Sequence, residues 1–202
     1  MKGVFCLEGF WFGDHRDKTS VSPSLELLHR YQKLPFVHHR CGTKEEFIYS
    51  IERWKKKGFH KDYPLLSLAF HGEPGKIKIG RDEVNIQELG EILDDKCQGT
   101  AIYFGSCATM KWDKRFLQSF MTKTKTLAVM GYKEDVEWLP STSFEIRLLS
   151  YFMNATYTTD GLKEVKETIQ QECRGQCSEL KFRFEMNERL RFTPKRVKVV
   201  VK

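Results

Sequence analysis

Two short apolar segments that do not alternate with polar residues constrain the fold most strongly. Leu65–Phe70 (LLSLAF) and Thr100–Phe104 (TAIYF) have the length of a β-strand and are apolar on both faces. Strands of this kind are typical of parallel sheets, whose helical connections cover both sides. Between them, Gln87–Lys96 carries apolar residues at helical spacing. The pattern predicts two parallel strands joined through a helix.

The same alternation of short strands and helices extends along the chain. Further strands are predicted at Val4–Glu8, Pro35–Cys41, Thr126–Met130, Leu180–Glu185 and Arg196–Val201, and a small hairpin at Lys76–Ile79 and Glu83–Ile86. Further helices are predicted at Ser24–Lys33, Lys114–Thr122, Ser141–Phe152 and Leu162–Gln176, and after the capping-box pattern Thr43–Glu46, ending at Gly58. The expected fold is an α/β/α sandwich with a mostly parallel sheet of about six strands and helices on both faces. We expect a single domain over residues 1–202, with its core at about 1–155 and a C-terminal helix and strands at 156–202.

Composition favours a protein that works inside the cell. Hydrophobic residues make up 40% of the 202 residues, which is enough for a core. The apolar runs are too short to span a bilayer, so no membrane partner is expected. Glu8 interrupts the apolar N-terminal stretch and no small-residue cleavage site follows, which argues against a signal peptide. The prediction is therefore a cytoplasmic protein whose six cysteines are reduced thiols.

The formal charge of +7 is concentrated in two segments, Arg53–Lys61 (RWKKKGFHK) and Lys195–Lys202. They are interpreted as a solvated helix end and a charged edge strand. Nucleic-acid binding through Arg53–Lys61 is a weaker alternative, since no recognisable nucleic-acid motif is present.

Small residues and two reactive side chains follow the two buried strands. His71-Gly72 comes directly after the first, and Gly105-Ser106-Cys107 directly after the second. The carboxyl ends of parallel strands meet at one edge of a sheet, so this placement predicts a Cys–His pair. Imidazole within hydrogen-bond reach activates a thiol, and a helix beginning soon after the cysteine would direct its positive end toward it.

No metal or cofactor is expected. His39 and Cys41 share one face of a strand and His38 points away, which does not make a tetrahedral site. Cys173 and Cys177 lie one helical turn apart without further ligands.

AFHG followed by YFGSCAT resembles the caspase-like cysteine peptidases (clan CD), and CHAT-type domains in particular. The connection HGEPGKIKIGRDEVNIQEL and the segment TLAVMGYKEDVEWLPSTSFEIRLL are also similar to that family, and the resemblance covers about residues 1–155. It implies a caspase-like α/β/α sandwich and a cysteine endopeptidase that cleaves protein or peptide substrates. A peptidase of this kind would be controlled by a regulatory protein partner, by self-cleavage or by an allosteric opening, and CHAT-type relatives often act in microbial stress or defence.

The resemblance assigns roles to particular residues. His71 would be the general base and Cys107 the nucleophile, with the backbone N–H groups of Gly72 and Cys107 as the oxyanion hole. Asp135, Glu137 and Trp138, together with Ser106, would line a substrate pocket, and its acidic residues would suit a basic side chain.

Two departures from caspases stand out. The signature Q-A-C-[RQG]-G is absent, and Cys107 follows His71 by fewer than the about 50 residues usual in caspases. Specificity for aspartate is therefore not implied. A catalytically inactive module that binds a partner protein remains the alternative.

Overall fold

The structure is a computed structural model that describes residues 1–12 and 16–193. Its main feature is a six-stranded sheet. The strands of this sheet are β1 (Val4–Glu8), β2 (Phe36–Arg40), β3 (Leu65–Ala69), β7 (Ala101–Phe104), β8 (Ala128–Tyr132) and β9 (Phe182–Met186). They lie in the order β2-β1-β3-β7-β8-β9. The first five strands in this order are parallel and β9 is antiparallel to β8.

Helices cover both faces of the sheet. The helices are α1 (Ser22–Gln32), α2 (Lys44–Lys55), α3 (Phe59–Asp62), α4 (Ile86–Leu93), α5 (Lys114–Thr124), α6 (Trp138–Met153), α7 (Thr159–Glu172) and α8 (Arg174–Glu179). Helices α1, α6 and α7 contribute to the core on one face, and α2, α4 and α5 to the core on the other. The predicted α/β/α sandwich with a six-stranded, mostly parallel sheet is confirmed.

Alternation within the buried strands builds these two cores. Leu65 and Ala69 of β3 belong to one core, and Leu66, Leu68 and Phe70 to the other. All five residues are fully buried, since helices cover both sides of the strand. This explains why the strand sequence shows no polar face.

The connection from β3 to β7 contains a second, smaller sheet. Its strands are β4 (His71–Glu73), β5 (Lys76–Ile79) and β6 (Asp82–Asn85), paired in that order and antiparallel. The predicted hairpin corresponds to β5 and β6. Strand β4 was not predicted, because HGE carries no apolar pattern and forms a strand only by pairing with β5.

A local sequence signal correctly predicted where helix α2 begins. The Thr43 hydroxyl accepts a hydrogen bond from the Glu46 N–H at 3.2 Å, and the Glu46 carboxylate accepts one from the Thr43 N–H at 3.3 Å. This is the capping box that the sequence predicted at the start of α2.

The C-terminal part differs from the prediction in detail. The expected helix Leu162–Gln176 is divided into α7 and α8 at Cys173, whose ψ of 23° interrupts the helix. The predicted strand Arg196–Val201 lies outside the described residues. In the described part of the chain, no helix is both long enough and apolar enough to cross a membrane.

Candidate active site

His71 and Cys107 follow neighbouring strands of the central sheet. Strands β3 and β7 pair in parallel, with Leu68 opposite Phe104, so both chains leave the sheet at the same edge. The side chains of His71 and Cys107 line one cavity of about 60 Å³. The structure thus brings together the two residues that the sequence singled out.

A buried serine ties the two strand ends together. Ser106 is 2% exposed, and its hydroxyl donates to the Leu68 carbonyl at 3.1 Å. The same oxygen accepts a hydrogen bond from the Phe70 N–H at 3.3 Å. Leu68 lies in β3 and Phe70 directly follows it, so Ser106 fixes the start of the cysteine loop relative to His71.

Gly72 allows the two loops to approach closely. A Cβ at this position would lie 2.3 Å from the Cys107 carbonyl oxygen and 2.4 Å from Thr109 Oγ1. These distances are far below van der Waals contact, and one of the neighbours is backbone. Only glycine fits here, which gives the His-Gly pair a structural reason as well as the proposed functional one.

The residues around Cys107 form turns, and no helix follows at once. Ala108 has a positive φ of 52°, and its N–H donates to the Glu134 carbonyl at 3.0 Å. The next helix is α5, which begins at Lys114 as predicted, seven residues after Cys107. The turn instead attaches the cysteine loop to the chain after β8.

The thiol of Cys107 contacts this neighbouring chain. Its Sγ accepts a hydrogen bond from the Val136 N–H at 3.5 Å and lies 3.9 Å from the Val136 carbonyl oxygen. Cys107 is half-buried. Within the described residues, no hydrogen bond joins Sγ to His71, so the two groups share a cavity without forming a closed pair.

The imidazole of His71 forms a hydrogen bond with the backbone of the N-terminal segment. Its Nε2 lies 2.6 Å from the Trp11 carbonyl oxygen, which can only accept, so Nε2 carries the hydrogen in this contact. The Trp11 ring packs edge-on against His71, with centroids 5.2 Å apart, and against Trp138 at 4.8 Å. These three rings form one wall of the cavity.

A buried carboxylate at the end of β1 organises the chain around Trp11. Glu8 is fully buried and accepts hydrogen bonds from Trp11 Nε1 and Ser20 Oγ, each at 2.6 Å, and from Val21 N–H at 2.8 Å. His38 Nε2 on β2 lies 2.7 Å from the same carboxylate. Burial alone would raise the pKa of Glu8, but these hydrogen bonds outweigh burial and lower the pKa.

A second buried carboxyl group, Glu145 on α6, lines the cavity itself. It lies there with Tyr103 and Tyr132, whose hydroxyl groups are 2.9 Å apart. No donor to its carboxylate is found among the residues that the structure describes. Burial, and then the negative charge of Glu8, raise the pKa of Glu145 to about 7.

The four predicted pocket residues lie in different surroundings. Trp138 lines the cavity and is 41% exposed. Asp135 and Glu137 are exposed and lie outside the cavity lining, and Ser106 is enclosed behind the strand ends. The acidic group inside the cavity is Glu145.

Sequence reasoning missed three residues of this site. Nothing in the segment around Trp11 indicates that its backbone carbonyl meets His71. Two carboxylates did leave a signal. Glu8 interrupts an apolar strand, and Glu145 lies within the buried face of α6 beside Phe144.

The other candidate groups do not assemble. His38 contacts Glu8, His39 is exposed and Cys41 is buried. Over residues 1–12 and 16–193, no three His, Cys, Asp or Glu side chains are arranged to hold a metal ion.

Fold and strand-end residues together define an α/β sandwich with a thiol and an imidazole in one cavity. The chain belongs to a family described as a family of unknown function (DUF6642), whose model matches residues 1–185. No curated protein matches the chain. Among solved structures, caspase-1 from Spodoptera frugiperda is similar at 14% identity with a TM-score of 0.49, and the match covers 76% of this chain and 69% of the caspase chain. Neither similarity assigns a reaction to this chain.

Proposed function

We propose that this protein is a caspase-like cysteine endopeptidase in which Cys107 is the nucleophile and His71 the general base. The single observation that carries the proposal is that a thiol and an imidazole, presented by adjacent parallel strands, line the same cavity. Two such groups at one strand edge are the minimum that acyl transfer to sulfur requires.

The contact with Trp11 supports the role of His71. Because Nε2–H donates to the Trp11 carbonyl, the neutral ring keeps Nδ1 free to accept a proton. In the proposed reaction Nδ1 takes the proton of the Cys107 thiol, and the thiolate attacks the substrate carbonyl carbon. The protonated ring then gives its proton to the leaving amine, and water activated by His71 hydrolyses the thioester.

The oxyanion formed in these steps has to be stabilised by hydrogen-bond donors. The N–H of Cys107 has no acceptor within the part of the chain that the structure describes, so it is available for this role. Gly72 brings its backbone against the same loop. We propose both N–H groups as the oxyanion hole.

The thiol has to move for this chemistry. In the proposal, Sγ leaves Val136 and turns toward the imidazole when substrate or a regulatory partner shifts the chain after β8. The cavity of about 60 Å³ admits only a side-chain tip until Trp11 and Trp138 separate. We therefore propose a regulated enzyme whose resting form is closed.

The negative charge in and near the cavity favours a particular kind of substrate side chain. Glu145 lies inside the cavity without a cation partner among the described residues, and Asp135 and Glu137 are exposed nearby in sequence. Together with Trp138 they favour a protein or peptide substrate that presents a basic residue.

The test is site-specific labelling by a peptide-like, thiol-directed electrophile carrying a basic residue. The expected result is an adduct at Cys107 whose formation slows at least tenfold in His71→Ala, and cleavage of a peptide library that Cys107→Ala abolishes. Cys177→Ala is the matched control, because Cys177 is also half-buried but distant from His71 along the chain. Equal labelling of the wild type and His71→Ala would overturn the proposal.

One observation favours a second candidate, an inactive module that binds a partner protein. The Cys107 thiol already has a partner in Val136, and no hydrogen bond links it to His71 in the described residues. Slow and uniform labelling of the accessible thiols, with no library peptide cleaved, would select this candidate.

A further inference from the structure

A groove lies beside the edge strand β2, remote from the cavity of Cys107. It has a volume of about 620 Å³ and lies where β2 meets α2 and α3. None of the residues lining it lines the cavity of Cys107. Among the residues used below, Val37, His39, Tyr49, Arg53, Lys56 and Phe59 line this groove.

The backbone of β2 presents free hydrogen-bonding groups at this edge. The Val4 N–H donates to the Pro35 carbonyl at 3.0 Å, and the Cys41 N–H donates to the Glu8 carbonyl at 2.8 Å. In a parallel ladder this register directs the odd-numbered residues of β2 toward β1. The peptide groups of Phe36, His38 and Arg40 therefore point away from the sheet, and no further strand of the described chain pairs with them.

The groove has an excess of unpaired positive charge. Arg53 and Lys56 are exposed, and neither has an ion-pair partner in the described part of the chain. Two acids also line the groove: Asp62 lies 3.9 Å from Lys2 Nζ, and Glu46 accepts the Gly42 N–H at 2.7 Å but keeps its negative charge. With Arg40 the lining holds three cations against these two acids, so its net charge is positive. The basic segment Arg53–Lys61 thus contributes two free cations to the wall of a groove.

Aromatic and apolar surface accompanies these charges. Tyr49 is 64% exposed, and Phe59 and Val37 are only partly buried. The odd-numbered side chains Val37 and His39 face the groove. A strand added beside β2 would therefore place alternate side chains against Tyr49, Arg53 and Lys56.

We propose that this groove binds an acidic segment of a partner protein, which adds to the central sheet as an extended strand along β2. The free peptide groups of β2 supply backbone hydrogen bonds, and Arg53 and Lys56 select acidic side chains on the groove side. The unpaired edge favours a peptide over a nucleic acid, because an extended peptide backbone matches the alternating N–H and C=O groups of β2 and a sugar-phosphate backbone does not.

The experiment uses the full chain and a fluorescent ten-residue peptide that alternates Glu and Val. We expect binding by anisotropy that weakens with salt, and at least tenfold weaker binding by the double variant Arg53→Glu, Lys56→Glu. The matched control is Lys163→Glu, Arg174→Glu, which reverses two exposed cations on α7 and α8 and should bind as the wild type does.

Backbone pairing is tested separately with two N-methylated peptides, one methylated at the Glu residues and one at the Val residues. The amides of the two sets lie on opposite edges of a strand, so one peptide should lose binding and the other retain it. Retention by both, or tighter binding of a ten-nucleotide oligothymidine than of the acidic peptide, would overturn the proposal. Because the readout is binding by the groove alone, it does not depend on the chemistry of Cys107.

Discussion

His71 Nε2 and the backbone carbonyl of Trp11 are 2.6 Å apart although 60 residues separate them in the chain. This contact sets the tautomer of the neutral imidazole, with the hydrogen on Nε2 and a free lone pair on Nδ1. Because the acceptor is a backbone atom, its position depends on what holds the Trp11 segment. The buried Glu8 carboxylate holds it, through the indole N–H and through Ser20 and Val21.

We expect Glu8→Gln to disturb the site without removing any group that contacts substrate. The amide of glutamine cannot accept all four hydrogen bonds, so the segment carrying Trp11 should loosen and His71 should lose its fixed acceptor. Labelling of Cys107 should slow several-fold and its pH profile should shift. Glu26→Gln, at an exposed position of α1, is the control, and identical pH profiles for Glu8→Gln and the wild type would refute the role assigned to Glu8.

The same carboxylate should govern stability in acid. The pKa of Glu8 is lower in the folded than in the unfolded chain, so its contribution is present above the ordinary carboxyl pKa and is lost as the pH falls through the folded value. As the pH falls below the ordinary carboxyl value of 4.5, the wild type should therefore lose stability more steeply than Glu8→Gln. Urea unfolding at a series of pH values measures the difference, and parallel curves would count against it.

Gly72→Ala should be strongly destabilising. The new methyl group would lie 2.3 Å from the Cys107 carbonyl oxygen, so the two strand-end loops must move apart. The cost should be about 1–3 kcal/mol, as for other overpacked sites. Gly175→Ala is the matched control, because a Cβ there meets nothing within 4 Å. A Tm for Gly72→Ala equal to that of the control would show that the loops adapt freely.

Glu145→Gln should stabilise the protein in a pH-dependent way. Because the folded pKa of about 7 exceeds the ordinary value of 4.5, ionisation of Glu145 opposes folding, and stability falls as the pH rises from 4.5 toward 7. The variant should match the wild type below about pH 4 and exceed it above pH 7, by about 3 kcal/mol at most. Glu164→Gln, exposed on α7, should show no such trend, and a pH-independent difference for Glu145→Gln would contradict this account.

Ser106→Ala should cost about 1–3 kcal/mol, because the buried Phe70 N–H would lose its acceptor. The free energy of unfolding measures this, with Ser143→Ala as an exposed control. An unchanged value would mean that the strand ends do not need the hydroxyl bridge.

Patterns within short segments predicted most of the sheet. Strand β1 has the predicted bounds, Val4–Glu8, and β3 ends one residue before the predicted Phe70. These strands are recognisable because burial on both faces leaves few polar residues and no polar face. The division between α7 and α8 was not predictable, because helical periodicity continues through Cys173 while the backbone does not.

The candidate site was only half predictable. His71 and Cys107 could be found because each follows a buried strand, and parallel strands end together. The contacts of Trp11 and Glu145 could not, because they depend on how a loop and a helix pack over the sheet edge. The predicted acidic pocket residues were Asp135 and Glu137, whereas the carboxyl group that lines the cavity belongs to Glu145 on the following helix.

Strand β9 is the last element of the sheet, yet it reaches the cysteine loop. The Arg183 guanidinium donates to the carbonyl of Met110 at 3.2 Å and also to that of Trp112. A ribosome that has synthesised as far as residue 182 has therefore already made Cys107 and His71. It has not yet made Arg183, whose guanidinium stabilises the loop between Cys107 and α5. During synthesis, the nascent chain carries both reactive groups well before it can complete their surroundings.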